Sequence, residues 1–199
     1  MDSASRRVIE HAPLVIVDFD GTLATLKTDW VGLKQRLAER CADNKWPWEK
    51  DRGLDENLRA VRKQRGESAF IRLCKEVALA EIAGFDAEAV ATDLIQLLGD
   101  RRTDPVAIVT NNTRLGVNTI LQHEVFHGLQ ARVIGKEDVS QSKPSPAGLS
   151  RACRLFVSSP KATVFIGDSD TDERAGQLAG IGIFLRVDPP RAHSLRLAA

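Results

Sequence analysis

Five short apolar runs punctuate the chain, and polar or helical sequence fills the spaces between them. The first, Leu-Val-Ile-Val at 14–17, is continuous and rich in β-branched residues. Such a run reads as a strand buried on both faces, as in a parallel sheet. Val106 to Val109 is a second run, 131–134 a weaker third, 163–166 a fourth and 181–187 a fifth. Between the later runs, apolar residues fall at helical spacing, predicting helices over 113–124, 145–156 and 172–178. Strands that alternate with helices predict a doubly wound parallel sheet of the Rossmann-like type.

The interval 23–100 has a different pattern. It contains no convincing strand, and four amphipathic stretches mark four helices. These are carried by Trp30, Leu33, Leu37 and Cys41; by Leu54, Leu58 and Val61; by Phe70, Leu73, Cys74 and Val77; and by Val90, Leu94, Leu97 and Leu98. Gly53, Gly66 and Gly84 punctuate them. The expected organisation is an α/β core from 12–22 and 101–188, a small all-α cap at 23–100 inserted after the first strand, and a polar tail at 189–199.

Composition narrows the function classes. Over 199 residues, 28 Lys and Arg face 27 Asp and Glu, a net charge of +1. That balance gives no electrostatic reason to expect a nucleic-acid or membrane-surface partner. No apolar run approaches the length of a membrane span, and the stretch after the first residues is too short for a signal-peptide core. The expectation is a cytoplasmic protein. Cys41, Cys74 and Cys153 lie far apart and read as buried thiols rather than a disulfide framework. His11, His123, His127 and His193 show no ligand spacing, and the Trp46-Pro47-Trp48 segment reads as a packed corner of the cap.

Three of the five apolar runs end in polar clusters: Asp18-Phe19-Asp20-Gly21-Thr22, Thr110-Asn111-Asn112-Thr113 and Gly167-Asp168-Ser169-Asp170. In open parallel sheets, ligands sit beyond the carboxyl ends of the strands, so these clusters can meet in one place. Asp18 and Asp20 flank a single residue and repel unless a cation intervenes. A hard, oxygen-preferring ion such as Mg²⁺ suits them. Asp168 and Asp172 add carboxylate oxygens, Lys143 a positive charge and Thr110 a hydroxyl. That set suits a phosphoryl group. The chain has neither GxGxxG nor GxxxxGK[ST].

Asp18-Phe19-Asp20-Gly21-Thr22, Thr110, Lys143-Pro144 and Gly167-Asp168-Ser169-Asp170-Thr171-Asp172 resemble, in order and spacing, the four motifs of the haloacid dehalogenase-like (HAD) phosphohydrolase superfamily. The helical insert resembles that superfamily's first cap type, as in its phosphoglycolate-phosphatase-like branch. The resemblance implies that Asp18 is the nucleophile and Asp20 the general acid and then base. It implies Mg²⁺ held by Asp18, the Asp20 backbone carbonyl and Asp168, with Asp172 supporting it from behind or through water. Thr110 would bind phosphate with help from the Asn111 backbone N–H, and Lys143 would offset negative charge. The implied substrate is a small phosphorylated metabolite. Asp20 argues against a true dehalogenase. A phosphomutase shares the same motifs, and a silent HAD-fold binding protein is a further alternative. Where many capped members read DGTLxDS, this chain has Thr25 at the second acidic position.

Overall fold

A computed structural model describes residues 2–101 and 104–191. Strands β1 (Leu14–Val17), β2 (Val106–Val109), β3 (Arg132–Ile134), β4 (Thr163–Gly167) and β5 (Ile183–Arg186) form one sheet in the order β3-β2-β1-β4-β5. Every pairing is parallel. The chain runs outward from β1 to β3 and then returns to the other side of β1 with β4. The switch point is therefore at β1 and β4, where such sheets hold their ligands.

Side chains alternate across β1 with a period of two. Val15 and Val17 face one layer together with Val106, Ile108 and Ile166; Leu14 and Ile16 face the other with Ala107, Val109 and Phe165. The first layer is covered by α1 (Ser3–His11), with Ile9; by the later helix Thr92–Gly99, with Leu94, Leu97 and Leu98; and by Arg114–Ile120, with Val117 and Ile120. The second is covered by Ala147–Leu155 and Asp170–Ala179.

Helices α2 (Trp30–Asp43), α3 (Leu54–Arg65) and α4 (Glu67–Ala83) follow β1. They form a separate core around Leu33, Leu37, Leu58, Val61, Phe70, Leu73 and Val77. The next helix, α5 (Thr92–Gly99), buries Leu94 and Leu98 beneath the sheet rather than among α2–α4. The group with its own core thus ends with α4, short of the expected position 100. Its apolar stripe gives no sign of which partner it faces, because a helical period fits either core. Helices α6 (Arg114–Ile120), α7 (Ala147–Leu155) and α8 (Asp170–Ala179) complete the order.

Helix α1 has no counterpart in the apolar pattern; Asp2 caps it by accepting a hydrogen bond from Ser5 N at 2.7 Å. Arg101 donates to the carbonyls of Ile9 and Ala12 and so ties the end of α1 to the chain leaving α5. Of the expected tail, 192–199 lie outside the described residues; the Pro190 carbonyl accepts a hydrogen bond from Thr25 Oγ1 at 2.7 Å. Cys41, Cys74 and Cys153 are free and buried on α2, α4 and α7. Burial raises all three thiols above their ordinary value. Trp46 and Trp48 pack against the α2–α4 core.

Candidate active site

Residue Asp18 follows β1 directly, and its backbone N–H still donates to the Ile166 carbonyl at 2.9 Å. Its carboxylate is buried, 6% exposed. The turn beyond it is held by the Phe19 carbonyl, which accepts from the backbone of Thr22, Leu23 and Ala24. Gly21 sits in this turn at φ +89°, a conformation that favours glycine. Its missing side chain also matters, because a Cβ there would lie 2.5 Å from Asp168 Oδ2. Asp20 Oδ1 accepts from Leu26 N at 2.9 Å, so the turn aims the second carboxyl of the pair.

Across the switch point, Asp168 and Asp172 follow β4. Ser169 caps α8, and Asp172 closes a reciprocal capping box with it. Asp172 Oδ2 accepts from the Ser169 hydroxyl at 2.5 Å, and Oδ1 accepts from Lys143 Nζ at 2.5 Å. Both oxygens of this buried carboxylate are therefore engaged. Lys143 Nζ also lies 2.6 Å from Asp18 Oδ1 as an ion pair. The ammonium thus bridges Asp18 and Asp172, with a hydrogen for each.

Burial dominates the electrostatics. It pushes the Asp18 carboxyl up to about 6, against the pull of Lys143 and with a further push from Asp172. Asp20 is also raised, first by burial and then by the neighbouring Asp168. Asp168 is raised by burial and by Asp172. Burial pulls the Lys143 ammonium down, but Asp18 and Asp172 outweigh it and hold the group above its ordinary value.

The donor set fits a hard divalent cation. Asp18, Asp168 and Asp172 each offer a carboxylate oxygen within 4.8 Å of one another. Asp172 has both oxygens committed, to Lys143 and Ser169, whereas Asp18 is engaged through Oδ1 by Lys143 and Asp168 through Oδ1 by Thr22 at 3.3 Å, so these two are the less committed pair.

From the β2 end come Thr110, Asn111 and Asn112. Asn111 does not present its side chain as a free ligand. Its Oδ1 accepts from Lys143 N at 2.8 Å, and its Nδ2 donates to the Lys143 carbonyl at 3.0 Å. The Thr110 hydroxyl donates to Asn112 Oδ1 at 2.7 Å. Asp170, at the start of α8, is exposed and pairs with Arg186 at 2.7 Å. His123 accepts from Val125 N and meets the Phe85 ring edge-on.

All seven sequence-predicted residues, Asp18, Asp20, Thr110, Asn111, Lys143, Asp168 and Asp172, line one cavity of about 510 Å³. Its far wall comes from the helical insert: Trp30 at the start of α2, and Gly53, Leu54, Asp55 and Glu56 at the start of α3. Lys136, after β3, lines it too and pairs with Asp55 at 2.9 Å. Asn112 belongs to the polar cluster that ends the second apolar run, whereas Lys136 and Asp55 carry no motif signal, and only the packing of the insert brings Asp55 in.

A family model described as haloacid dehalogenase-like hydrolase matches residues 15–185. The phosphoglycolate phosphatase of Psychrobacter arcticus is 28% identical over 185 residues, covering 84% of this chain and 80% of that protein. That of Pasteurella multocida is 33% identical over 78 residues, 39% of this chain and 35% of that protein. Among solved structures, a haloacid dehalogenase-like hydrolase of Bacteroides fragilis superposes with a TM-score of 0.60 at 23% identity, covering 86% of each chain. CbbY of Rhodobacter sphaeroides, solved in complex with phosphate, gives a TM-score of 0.54 at 21% identity over 94% of this chain and 92% of that one. At those identities the structural likeness bears on the fold.

Proposed function

We propose, from the premise that the chain belongs to the haloacid dehalogenase-like hydrolases, that it is a Mg²⁺-dependent phosphomonoesterase acting on a small phosphorylated metabolite through an aspartyl-phosphate. The observation that carries the reading is the meeting of Asp18, Lys143 and Asp168 at the switch point, with the Lys143 ammonium 2.6 Å from Asp18. The curated relatives named above are phosphoglycolate phosphatases, and their kind of substrate, a small phosphate monoester, fits a cavity of about 510 Å³.

In this reading Asp18 attacks phosphorus and the bridging oxygen leaves with the substrate alcohol. Asp20, raised by burial, carries the proton that the leaving oxygen takes. It then accepts a proton from the water that attacks the aspartyl-phosphate, and free phosphate departs. Lys143 balances charge on Asp18 and on the transferring phosphoryl group, and Asp172 and Asn111 hold Lys143 in place. Thr110 takes a phosphate oxygen, with the Asn111 backbone N–H beside it. Mg²⁺, held by Asp18, the Asp20 carbonyl and Asp168, would supply positive charge against the phosphate oxygens. The insert after β1, with its own core in α2–α4, is the proposed cap. It walls off water and contributes Trp30, Asp55 and Glu56 to the leaving-group side.

The test is phosphate release from a panel of phosphate monoesters that includes 2-phosphoglycolate, sugar phosphates and nucleoside monophosphates, with Asp18→Asn as the blank. Release that needs Mg²⁺, stops with EDTA and is absent in the variant supports the proposal. Isomerised phosphoester without phosphate release points instead to a mutase, and no conversion at all by folded protein overturns the enzymatic reading.

A further inference from the structure

Lys136 follows β3 and is buried, with 6% exposure, yet it lines the cavity. Its Nζ lies 2.9 Å from Oδ1 of Asp55, at the start of α3 in the insert. Burial works against the ammonium, but Asp55 and then Glu81 outweigh it and hold the group above its ordinary value. Lys136 is thus a charged ammonium that two carboxylates already balance.

The rest of that wall adds no positive side chain. The insert lines the cavity with Trp30, Gly53, Leu54, Asp55 and Glu56, which include two acids and no base. The start of α3 would by itself favour negative charge. Asp55 and Glu56 lie in its first turn and offset that field, and Glu56 Oε2 accepts from Gly53 N at 3.2 Å. The two ends of the cavity therefore differ. At the strand ends, Lys143 faces the place proposed for the phosphoryl group. At the insert, one ammonium stands against Asp55, Glu56 and the buried Glu81.

The Lys136–Asp55 pair still has hydrogen bonds to offer. An ammonium carries three hydrogens, and among the described residues Asp55 takes one of them. Asp55 Oδ1 is bonded to Lys136, and Oδ2 meets no donor among the described residues. A donor and an acceptor side by side match a hydroxyl, which does both. A carboxylate only accepts. It could take the ammonium, but it would bring its charge against Asp55.

We propose that Lys136 and Asp55 form the subsite for the leaving alcohol, and that they select a phosphate monoester whose alcohol carries a further hydroxyl over one that carries a carboxylate. The inference rests on the reading of the cavity as a phosphomonoesterase site and narrows its substrate. Phosphoglycolate, the ester in the names of the relatives, falls on the disfavoured side.

The experiment compares two esters of nearly equal size, 2-hydroxyethyl phosphate and 2-phosphoglycolate, by kcat/KM with Mg²⁺ present. The full chain is used as wild type, Asp55→Asn and Lys136→Gln, with thermal unfolding in parallel and p-nitrophenyl phosphate as a reference ester. Wild type is expected to favour the hydroxylated ester by about tenfold or more, because like charges set against each other are strongly disfavoured. Asp55→Asn should cut that ratio by about tenfold, since the ammonium is then free to attract the carboxylate. Lys136→Gln should raise the ratio, since Asp55 is left without its counter-charge. A merely structural contact between insert and core would move both esters together, so a ratio unchanged in the folded variants overturns the inference. If one variant fails to fold, the other carries this arm, and if both fail the wild-type ratio decides. Wild type that favours 2-phosphoglycolate or treats the two alike overturns the inference. So does wild type that hydrolyses p-nitrophenyl phosphate and neither of the two esters. Wild type that hydrolyses no ester at all overturns the underlying reading, a result distinct from the others.

Discussion

The side-chain amide of Asn111 pairs with the backbone of Lys143, accepting from its N–H at 2.8 Å and donating to its carbonyl at 3.0 Å. A residue at the end of β2 and one in the connection from β3 to α7 are thereby locked together, 32 positions apart in sequence. The clamp fixes the root of a lysine whose ammonium lies between Asp18 and Asp172. Asn111→Ala is expected to lower kcat about tenfold with a smaller change in KM, because it loosens a charge that acts on the transition state. Steady-state kinetics on the best substrate of the panel check this.

A second expectation concerns Gly21. Alanine there is strained at φ +89° and pushes on the Asp168 carboxylate. Gly21→Ala should cost about 1 kcal/mol of stability. It should also raise the Mg²⁺ concentration for half-maximal activity by about tenfold or more, as changes that reorient a metal ligand do. Metal titrations of activity and thermal unfolding separate the two effects.

Removing Lys143 leaves two buried carboxylates facing each other. Lys143→Met should therefore destabilise the metal-free protein by about 3 kcal/mol near neutral pH, as breaking a buried pair does. The loss should shrink in acid, where Asp18 takes up a proton, since burial already pushes it up to about 6. Denaturant unfolding at two pH values measures it.

The fold and most of the site were legible for physical reasons. Buried parallel strands leave continuous apolar runs, so β1 and β2 stood out at their full extent and β4 to within its last residue, Gly167. The residues at their ends line the cavity, so Asp18, Thr110 and Asp168 could be named without a structure. Side-chain commitments could not. Spacing does not reveal that Asn111 spends its amide on Lys143, or that Asp172 has both oxygens taken. Nor does it reveal that Glu81, on an otherwise ordinary amphipathic helix, is buried and met by Asn112 and Thr113.

Protons and metal should compete for the same carboxylates. Burial raises Asp18, and raises Asp20 and Asp168 in the same direction. A carboxyl whose folded pKa exceeds its unfolded value contributes stability below the unfolded pKa and loses it as pH rises through the folded one. For Asp18 that window runs from 3.8 to about 6. Lys143 stays charged across it. The metal-free protein should thus lose stability from these groups as pH climbs through the window. Mg²⁺ binds the ionised carboxylates, so saturating metal should raise Tm by about 5 °C or more near pH 7.5 and by much less near pH 5. Thermal scans with Mg²⁺ and with EDTA at both pH values check the difference.

The central claim is that Asp18 becomes phosphorylated, and a trapping experiment tests it most directly. Asp20→Asn keeps the nucleophile and removes the base that would hydrolyse the intermediate. With Mg²⁺ and p-nitrophenyl phosphate, whose leaving group needs no proton, the variant should release about one nitrophenol per active site in a burst. Borohydride should then reduce the acyl phosphate, and peptide mapping should find homoserine at position 18 alone. Homoserine at Asp168 or Asp172 would contradict the account. So would no burst and no reduced residue in a variant whose wild type hydrolyses the same ester.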